Sequence, residues 1–228
     1  MKILAVETSG KTFSLALNEN GISIASFYYD YGHIHSEMIV PAVERLLKDT
    51  GNAFQDIDKF AVSTGPGSFT GIRVGMTAIK IFAQALNKPV AAVDTLSILE
   101  NSCIGIKGIK IVAAIDALRG EVYVKSAGRN DIIIKNIDEL IKDLKRYKNK
   151  VLIIGSAALS YKEKFYKELG AYSVSLPYIV HMPKAQVLAV MAYSSANSTD
   201  YTKIKPLYIR RSWAEESKKI RSNFIPCC

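Results

Sequence analysis

Gly65-Pro66-Gly67-Ser68-Phe69-Thr70-Gly71 runs straight into Ile72-Arg73-Val74-Gly75. Three glycines and a proline in seven residues mark a tight turn defined by its backbone. Ahead of it, Phe60-Ala61-Val62-Ser63 reads as an apolar strand. Behind it, Met76-Thr77-Ala78-Ile79-Lys80-Ile81-Phe82-Ala83 has a helical pattern. Strand, glycine loop and helix N-terminus in that order form a common anion site, because free amides point outward and the helix dipole favours negative charge. Such a loop can hold a phosphate, build an interface or only turn the chain.

The flanking sequence gives the loop its setting. Lys2 to Thr8 is nearly all apolar and predicts a strand buried on both faces. Ser9-Gly10-Lys11 turns the chain, and Phe13, Leu15 and Leu17 then alternate with small or polar residues as in a half-buried strand. Asn18-Glu19-Asn20-Gly21 is a hairpin turn leading to a third strand through Ile22, Ile24, Ser26 and Tyr28. A helix opens near His35-Ser36 with Ser36 as its cap, carries Ile39, Val40, Val43, Leu46 and Leu47 at helical spacing, and ends at Gly51. Strands at Lys59 to Ser63 and Pro89 to Val93 follow, with Thr95 capping a short helix through Leu99.

After Gly105-Ile106-Lys107-Gly108 the pattern restarts. Lys110 to Asp116 matches Lys2 to Thr8, and the turn Leu118-Arg119-Gly120 stands before Glu121 to Val124 as Ser9-Gly10-Lys11 stands before Thr12 to Leu15. Asp131 to Ile134 is the third strand of this unit. A helix (Ile137 to Tyr147), a strand (Val151 to Ile154), a helix (Tyr161 to Leu169) and a last helix from Lys184 to Ser194, opened by Pro183, complete it. The expectation is an α/β chain of two related β-β-β-α-β-α halves, the second reduced. The lobes are residues 1–104 and 105–210, and residues 211–228 form a tail. Two such halves packed face to face describe the actin-like (ASKHA, ribonuclease H-like) fold of actin, sugar kinases and heat-shock ATPases, in which nucleotide lies between the halves.

Composition bounds the function. The 228 residues are about half apolar, enough for a sizeable core. The net charge of +9 permits contact with nucleic acid or an acidic partner, and fits a general lysine enrichment equally well. Basic residues are densest from Lys142 to Lys150 and from Lys203 to Arg221. Cys227 and Cys228 are adjacent and cannot bridge without severe strain, so with Cys103 they read as free thiols of a reducing compartment. The N-terminal apolar run is too short for a signal peptide, and no stretch reaches the ~18 apolar residues of a membrane helix. A soluble, cytoplasmic protein is expected.

The chemical motifs are mostly incomplete. A P-loop needs lysine and a hydroxyl after its last glycine, yet Ile72 follows Gly71. Gly-x-Gly-x-x-Gly is not matched either. In kinases of the actin-like fold an aspartate ends the first strand and handles magnesium phosphate. Here Glu7-Thr8-Ser9-Gly10 only approximates that turn, and Asp116-Ala117-Leu118-Arg119-Gly120 lacks glycine-rich character. Two degraded phosphate loops argue against a working kinase. The three histidines, His33, His35 and His181, include no His-x-x-x-His pair for a metal. Ser68 has no histidine nearby in sequence to act as its base, so a hydrolase has little support. The helix from Ile72 to Leu86 is apolar on most sides, which calls for deep burial or a partner.

Together, Ile3-Leu4-Ala5-Val6-Glu7-Thr8-Ser9, His35-Ser36-Glu37 and the run from Gly65 to Gly75 resemble the TsaB (YeaZ) family. Asp116 to Tyr123 and Pro206-Leu207-Tyr208-Ile209-Arg210 resemble further elements of that family. The resemblance implies a non-catalytic accessory subunit. It would bind a related TsaD-like subunit and, with a TsaE-like ATPase, support threonylcarbamoyl transfer to the adenosine beside the anticodon of ANN-decoding tRNA. It implies pairing through the first two helices, with His35, Ser36, Ile39, Val40, Val43, Leu47, Phe69, Arg73, Met76, Ile79 and Lys80 facing the partner, and self-association through the same surface when alone. Gly65, Pro66, Gly67, Ser68, Thr70, Gly71 and Gly75 would form a structural loop. Glu7, Thr8 and Ser9 would be at most a residual nucleotide site. No intrinsic cofactor or metal is expected, ATP and metal belonging to the partner subunits, and tRNA contact would be indirect or weak. Glu7 in place of aspartate, Leu118 in place of a basic residue and the tail to Cys228 depart from the family pattern. The alternative is a nucleotide-binding small-molecule kinase or other phosphotransferase of the same fold.

Overall fold

The computed structural model describes residues 1–30, 35–125, 131–147, 149–170, 173–174, 177–195 and 198–209. His33, Arg210 and the tail with Cys227 and Cys228 lie outside the described residues, as do the side chains of His35 and Ser36.

The first half comprises β1 (Lys2–Glu7), β2 (Phe13–Glu19), β3 (Ile22–Tyr29), α1 (His35–Asp49), β4 (Lys59–Ser63), α2 (Phe69–Leu86), β5 (Val90–Val93) and α3 (Thr95–Asn101). The second comprises β6 (Lys110–Asp116), β7 (Glu121–Lys125), β8 (Ile132–Asn136), α4 (Ile137–Arg146), β9 (Val151–Ile154), α5 (Ser156–Ser160), α6 (Lys162–Leu169), β10 (Ser173–Val174) and α7 (Ala185–Ser194). The sheets run β3-β2-β1-β4-β5 and β8-β7-β6-β9-β10. In each, the first strand pairs antiparallel with the second and parallel with the fourth. The two halves thus repeat one topology, that of the actin-like fold. All five strands of the second half are retained. Its reduction lies in the two-residue β10 and in the replacement of the 18-residue α2 by the shorter α5 and α6.

β1 is covered on both sides, as its continuous apolar run requires. Leu4 and Val6 join Phe13, Leu15, Leu17, Phe60 and Val62 beneath α1 and α2. Ile3 and Ala5 join Ala16, Ala61 and Ala91 beneath Ala185, Leu188, Ala189 and Ala192 of α7. Alanines on both sides let that helix approach the sheet closely. β2 is therefore not half-buried. Ser14 and Ala16 are covered by α7, and the Ser14 Oγ accepts the Ala185 N–H at 2.9 Å. In β3 the inward residues are Ala25, Phe27 and Tyr29, while Ile22 and Ile24 are exposed. The pairing of β3 with β2 shifts register at Leu17/Asn18.

The last helix of each half packs on the other half's sheet. Leu96 and Leu99 of α3, with Cys103 beyond it, contact Ala113, Ile115, Leu152 and Ile154 of the second sheet. α7 crosses back to the first, where the buried Lys59 Nζ donates to the Ala192 and Ser195 carbonyls at 2.8 and 3.2 Å. An ammonium there satisfies carbonyls that a helix C-terminus leaves open and complements its dipole. A division at residue 104 separates the sheets but not the helices. Ile204 also belongs to the first core, and the Leu207 N–H donates to the Thr64 carbonyl at 2.8 Å.

Candidate protein-binding face

α2 starts at Phe69, inside the glycine motif, with Ser68 as its cap. Thr70, Gly71 and Gly75 are accordingly helical, which moves them out of the loop they were expected to form. Gly65, Pro66, Gly67 and Ser68 remain as the connection, joined by a cis Gly65–Pro66 bond. A Cβ on Gly67 would stand 2.1 Å from the Ser9 carbonyl oxygen, one on Gly71 2.1 Å from the Thr8 carbonyl oxygen, and one on Gly75 2.2 Å from Thr8 Oγ1. These three positions lack side chains so that α2 can lie directly on the turn leaving β1. Hydrogen bonds hold the contact: the Ser68 N–H donates to the Ser9 carbonyl and Thr8 Oγ1 to the Gly71 carbonyl, both at 2.7 Å. The Gly71 N–H is taken by Ser68 Oγ at 3.2 Å. Two amides of this turn, those of Ser68 and Gly71, are thereby engaged within the chain.

Glu7 is buried at the end of β1, and its carboxylate accepts from the Ser9 N–H at 2.6 Å and from Ser9 Oγ. Burial pushes the carboxyl above its usual pKa, against the opposing effect of the Ser9 bonds. Ser63 Oγ lies close enough to oppose it too, without hydrogen-bond geometry. The second half repeats the arrangement. Asp116 Oδ1 accepts the Leu118 N–H at 2.8 Å, again two residues on, and the Tyr161 hydroxyl at 3.3 Å. Both strand-end acids therefore close their own turns. Among the described residues no group of three His, Cys, Asp or Glu side chains could hold a metal ion.

α1 and α2 lie side by side on the outer face of the first sheet. Ile39, Val43, Leu47, Met76 and Ile79 of the expected partner set are buried in the core. The sheet claims the apolar stripe of each helix, so these five support the face from beneath and do not form it. Val40 (49% exposed) and Phe69 (47%) are open, Arg73 is exposed and Lys80 is half-buried. Ile81, at 58% exposure, belongs to the same helix and was not singled out from the sequence. Its signal is an apolar residue off the buried stripe of Ile72, Met76, Ile79 and Ala83. Tyr208 (52%) is the other addition. The Arg73 guanidinium carbon sits 3.8 Å from the centroid of the Phe69 ring, and its Nε donates to the Tyr208 hydroxyl at 2.8 Å. The two rings are 5.7 Å apart. A cation and two aromatic rings are thus fixed in an exposed cluster, the residue types that dominate protein-interface energetics.

The fold and this face define a class: an actin-like two-lobed protein whose strand-end acids are locked into turns and whose α1–α2 surface carries open apolar and aromatic groups. A family model described as TsaD, tRNA N6-adenosine threonylcarbamoyltransferase, matches residues 30–212. The chain is 31% identical to the Bacillus subtilis tRNA threonylcarbamoyladenosine biosynthesis protein TsaB, over 94% of this chain and 96% of that one. A Pseudomonas aeruginosa crystal structure described as similar to peptidase YeaZ superposes with a TM-score of 0.75 at 25% identity, covering 92% of this chain and 99% of that one. The Clostridium difficile activator of 2-hydroxyisocaproyl-CoA dehydratase, solved with bound ADPNP, shares the fold at a TM-score of 0.50 and 13% identity, over the full length of both chains. The chain belongs to the TsaB family, whose members are named for tRNA threonylcarbamoyladenosine biosynthesis.

Proposed function

We propose that this chain is a non-catalytic scaffold. It pairs through α1 and α2 with a TsaD-like transferase and, with a TsaE-like ATPase, supports threonylcarbamoyl transfer to the adenosine beside the anticodon of ANN-decoding tRNA. The observation that carries the reading is the exposed set Val40, Phe69, Arg73 and Ile81 on two adjacent helices, beside strand-end acids already engaged in their own turns. Open apolar groups on two adjacent helices gain from being covered by a partner of matching shape. The same surface would serve self-association in the isolated chain. ATP and metal chemistry reside on the partner subunits, in the cytoplasm.

Mixed with a TsaD-like subunit, the chain should elute as a heterodimer in size-exclusion chromatography, and Phe69→Ala should weaken that complex. Calorimetry with ATP and magnesium on the isolated chain covers the phosphotransferase alternative. Tight binding lost on Glu7→Ala would overturn the scaffold reading.

A further inference from the structure

The charge of this chain is unevenly divided. Residues 1–104 hold 8 Lys and Arg against 10 Asp and Glu, whereas residues 105–209 hold 17 against 9. The half that carries the α1–α2 face is slightly acidic, and the excess positive charge lies on the other half. Much of that excess is neutralised locally, as where Lys145 meets Glu168 and Lys164 meets Asp138.

One region is different. At the end of the second sheet where β6 and β9 begin, Lys110 and Lys150 are backbone neighbours, the Lys110 N–H donating to the Lys150 carbonyl at 3.1 Å. Both are exposed. The C-terminus of α4 reaches the same place, with Arg146 pairing to Asp143 at 3.5 Å and Lys135 of β8 pairing to that same carboxylate. Lys135 foremost, then Arg146 and Lys110, hold the Asp143 carboxyl below its usual range. Two cations therefore pair with this one acid. Lys142 lies one turn before Arg146 on the exposed side of α4. Lys110 Nζ sits 4.5 Å from the centroid of the exposed Tyr147 ring. Basic residues in the last turn of a helix complement its dipole, which accounts for Arg146. That effect does not account for Lys110, Lys135 or Lys150, which lie on or beside strands.

We propose that this basic, aromatic surface at the start of β6 and β9 is a direct contact site for the RNA phosphate backbone, separate from the α1–α2 face. It rests on the reading of the chain as a subunit of a tRNA-modifying assembly. Clustered ammonium groups would neutralise phosphates and release counterions, and Tyr147 offers a flat face for an unpaired base. An acidic polypeptide supplies charge for the lysines but no base for the ring, so RNA fits both features.

The test is fluorescence anisotropy of a labelled unmodified tRNA transcript titrated with the full chain at several salt concentrations. Lys110→Ala/Lys142→Ala/Lys150→Ala should weaken binding at least tenfold and make the slope of log K against log [salt] shallower by about 2–3, at roughly 0.9 per lost phosphate contact. Tyr147→Ala should weaken binding several-fold with the salt slope unchanged. A first-half control, Lys11→Ala/Lys48→Ala/Lys88→Ala, should bind as wild type. Undetectable tRNA binding, a triple variant within twofold of wild type, an equal loss in the control, or competition by polyglutamate as effective as that by unlabelled tRNA would each overturn the proposal. Melting curves and elution with the TsaD-like subunit, run on the same variants, keep the two readings apart. Lost pairing with retained tRNA binding refutes the scaffold alone, and intact pairing without tRNA binding refutes only this site.

Discussion

Gly75→Ala should destabilise the protein, and Thr8→Ala should remove most of that cost. The new Cβ would stand 2.2 Å from Thr8 Oγ1 but 3.3 Å from Thr8 Cβ and 3.4 Å from Cγ2, so the hydroxyl is the main obstacle. To make room, Thr8 must leave the rotamer in which Oγ1 donates to the Gly71 carbonyl at 2.7 Å. Overpacking of this kind costs about 1–3 kcal/mol, and losing the buried bond about another 1 kcal/mol. Alanine in a helix interior returns about 1 kcal/mol relative to glycine. The net expectation is a loss of about 1–3 kcal/mol, or roughly 2–12 °C in Tm for a chain of this size. In a Thr8→Ala background the hydroxyl is gone, and the same substitution should be close to neutral. Gly71→Ala is the contrast. Its Cβ meets the Thr8 backbone carbonyl at 2.1 Å, which no side-chain change at residue 8 relieves. Urea unfolding of the four members of the Thr8/Gly75 cycle, with m-values compared, measures the coupling. A Gly75→Ala cost that is equal in both backgrounds, or a stabilised single variant, would refute the packing role given to the glycine loop.

Three further outcomes follow from named contacts. Lys59→Ala removes the ammonium from the last carbonyls of α7 and should cost about 1–3 kcal/mol; hydrogen exchange should show the loss of protection concentrated in residues 185–194. Glu7 has a folded-state pKa raised chiefly by burial, so it contributes stability that is full below the ordinary glutamate pKa and is lost as pH rises through the raised value. Glu7→Gln should flatten that decline, and unchanged pH dependence of unfolding would rule the assignment out. Met76→Glu places a charge at a buried position and should unfold or severely destabilise the chain, whereas Val40→Glu should leave its melting temperature nearly unchanged.

Much of this fold was legible in the chain because local signals agreed with the tertiary outcome. The apolar runs of β1 and β4, the Asn20-Gly21 hairpin and the restart at Lys110 all led to the observed strand order. What sequence could not show was which long-range element covers each face. Ser14 and Ala16 look like a solvent side until α7, some 170 residues later, packs on them. The β3 alternation misleads because, on this edge strand, the face packed on the core carries Ala25, Phe27 and Tyr29 while Ile22 and Ile24 stay exposed. At the candidate face, helical periodicity located both helices but not their open sides. Met76 and Ile79 face the sheet, while Ile81 faces outward. Tyr208 joins Arg73 only through the return of the C-terminal segment past Thr64, a contact across 135 residues. The basic cluster around Asp143 gathers β6, β8 and α4, so the dense run from Lys142 to Lys150 showed only part of it.

The central claim is that the open surface of α1 and α2 binds a TsaD-like transferase. The most direct measurement is calorimetric titration of that subunit with Val40→Glu/Ile81→Glu, both positions being open in the isolated chain. The account predicts that the double variant melts within a few degrees of wild type and loses at least a hundredfold in affinity. A folded double variant that binds as tightly as wild type would contradict it.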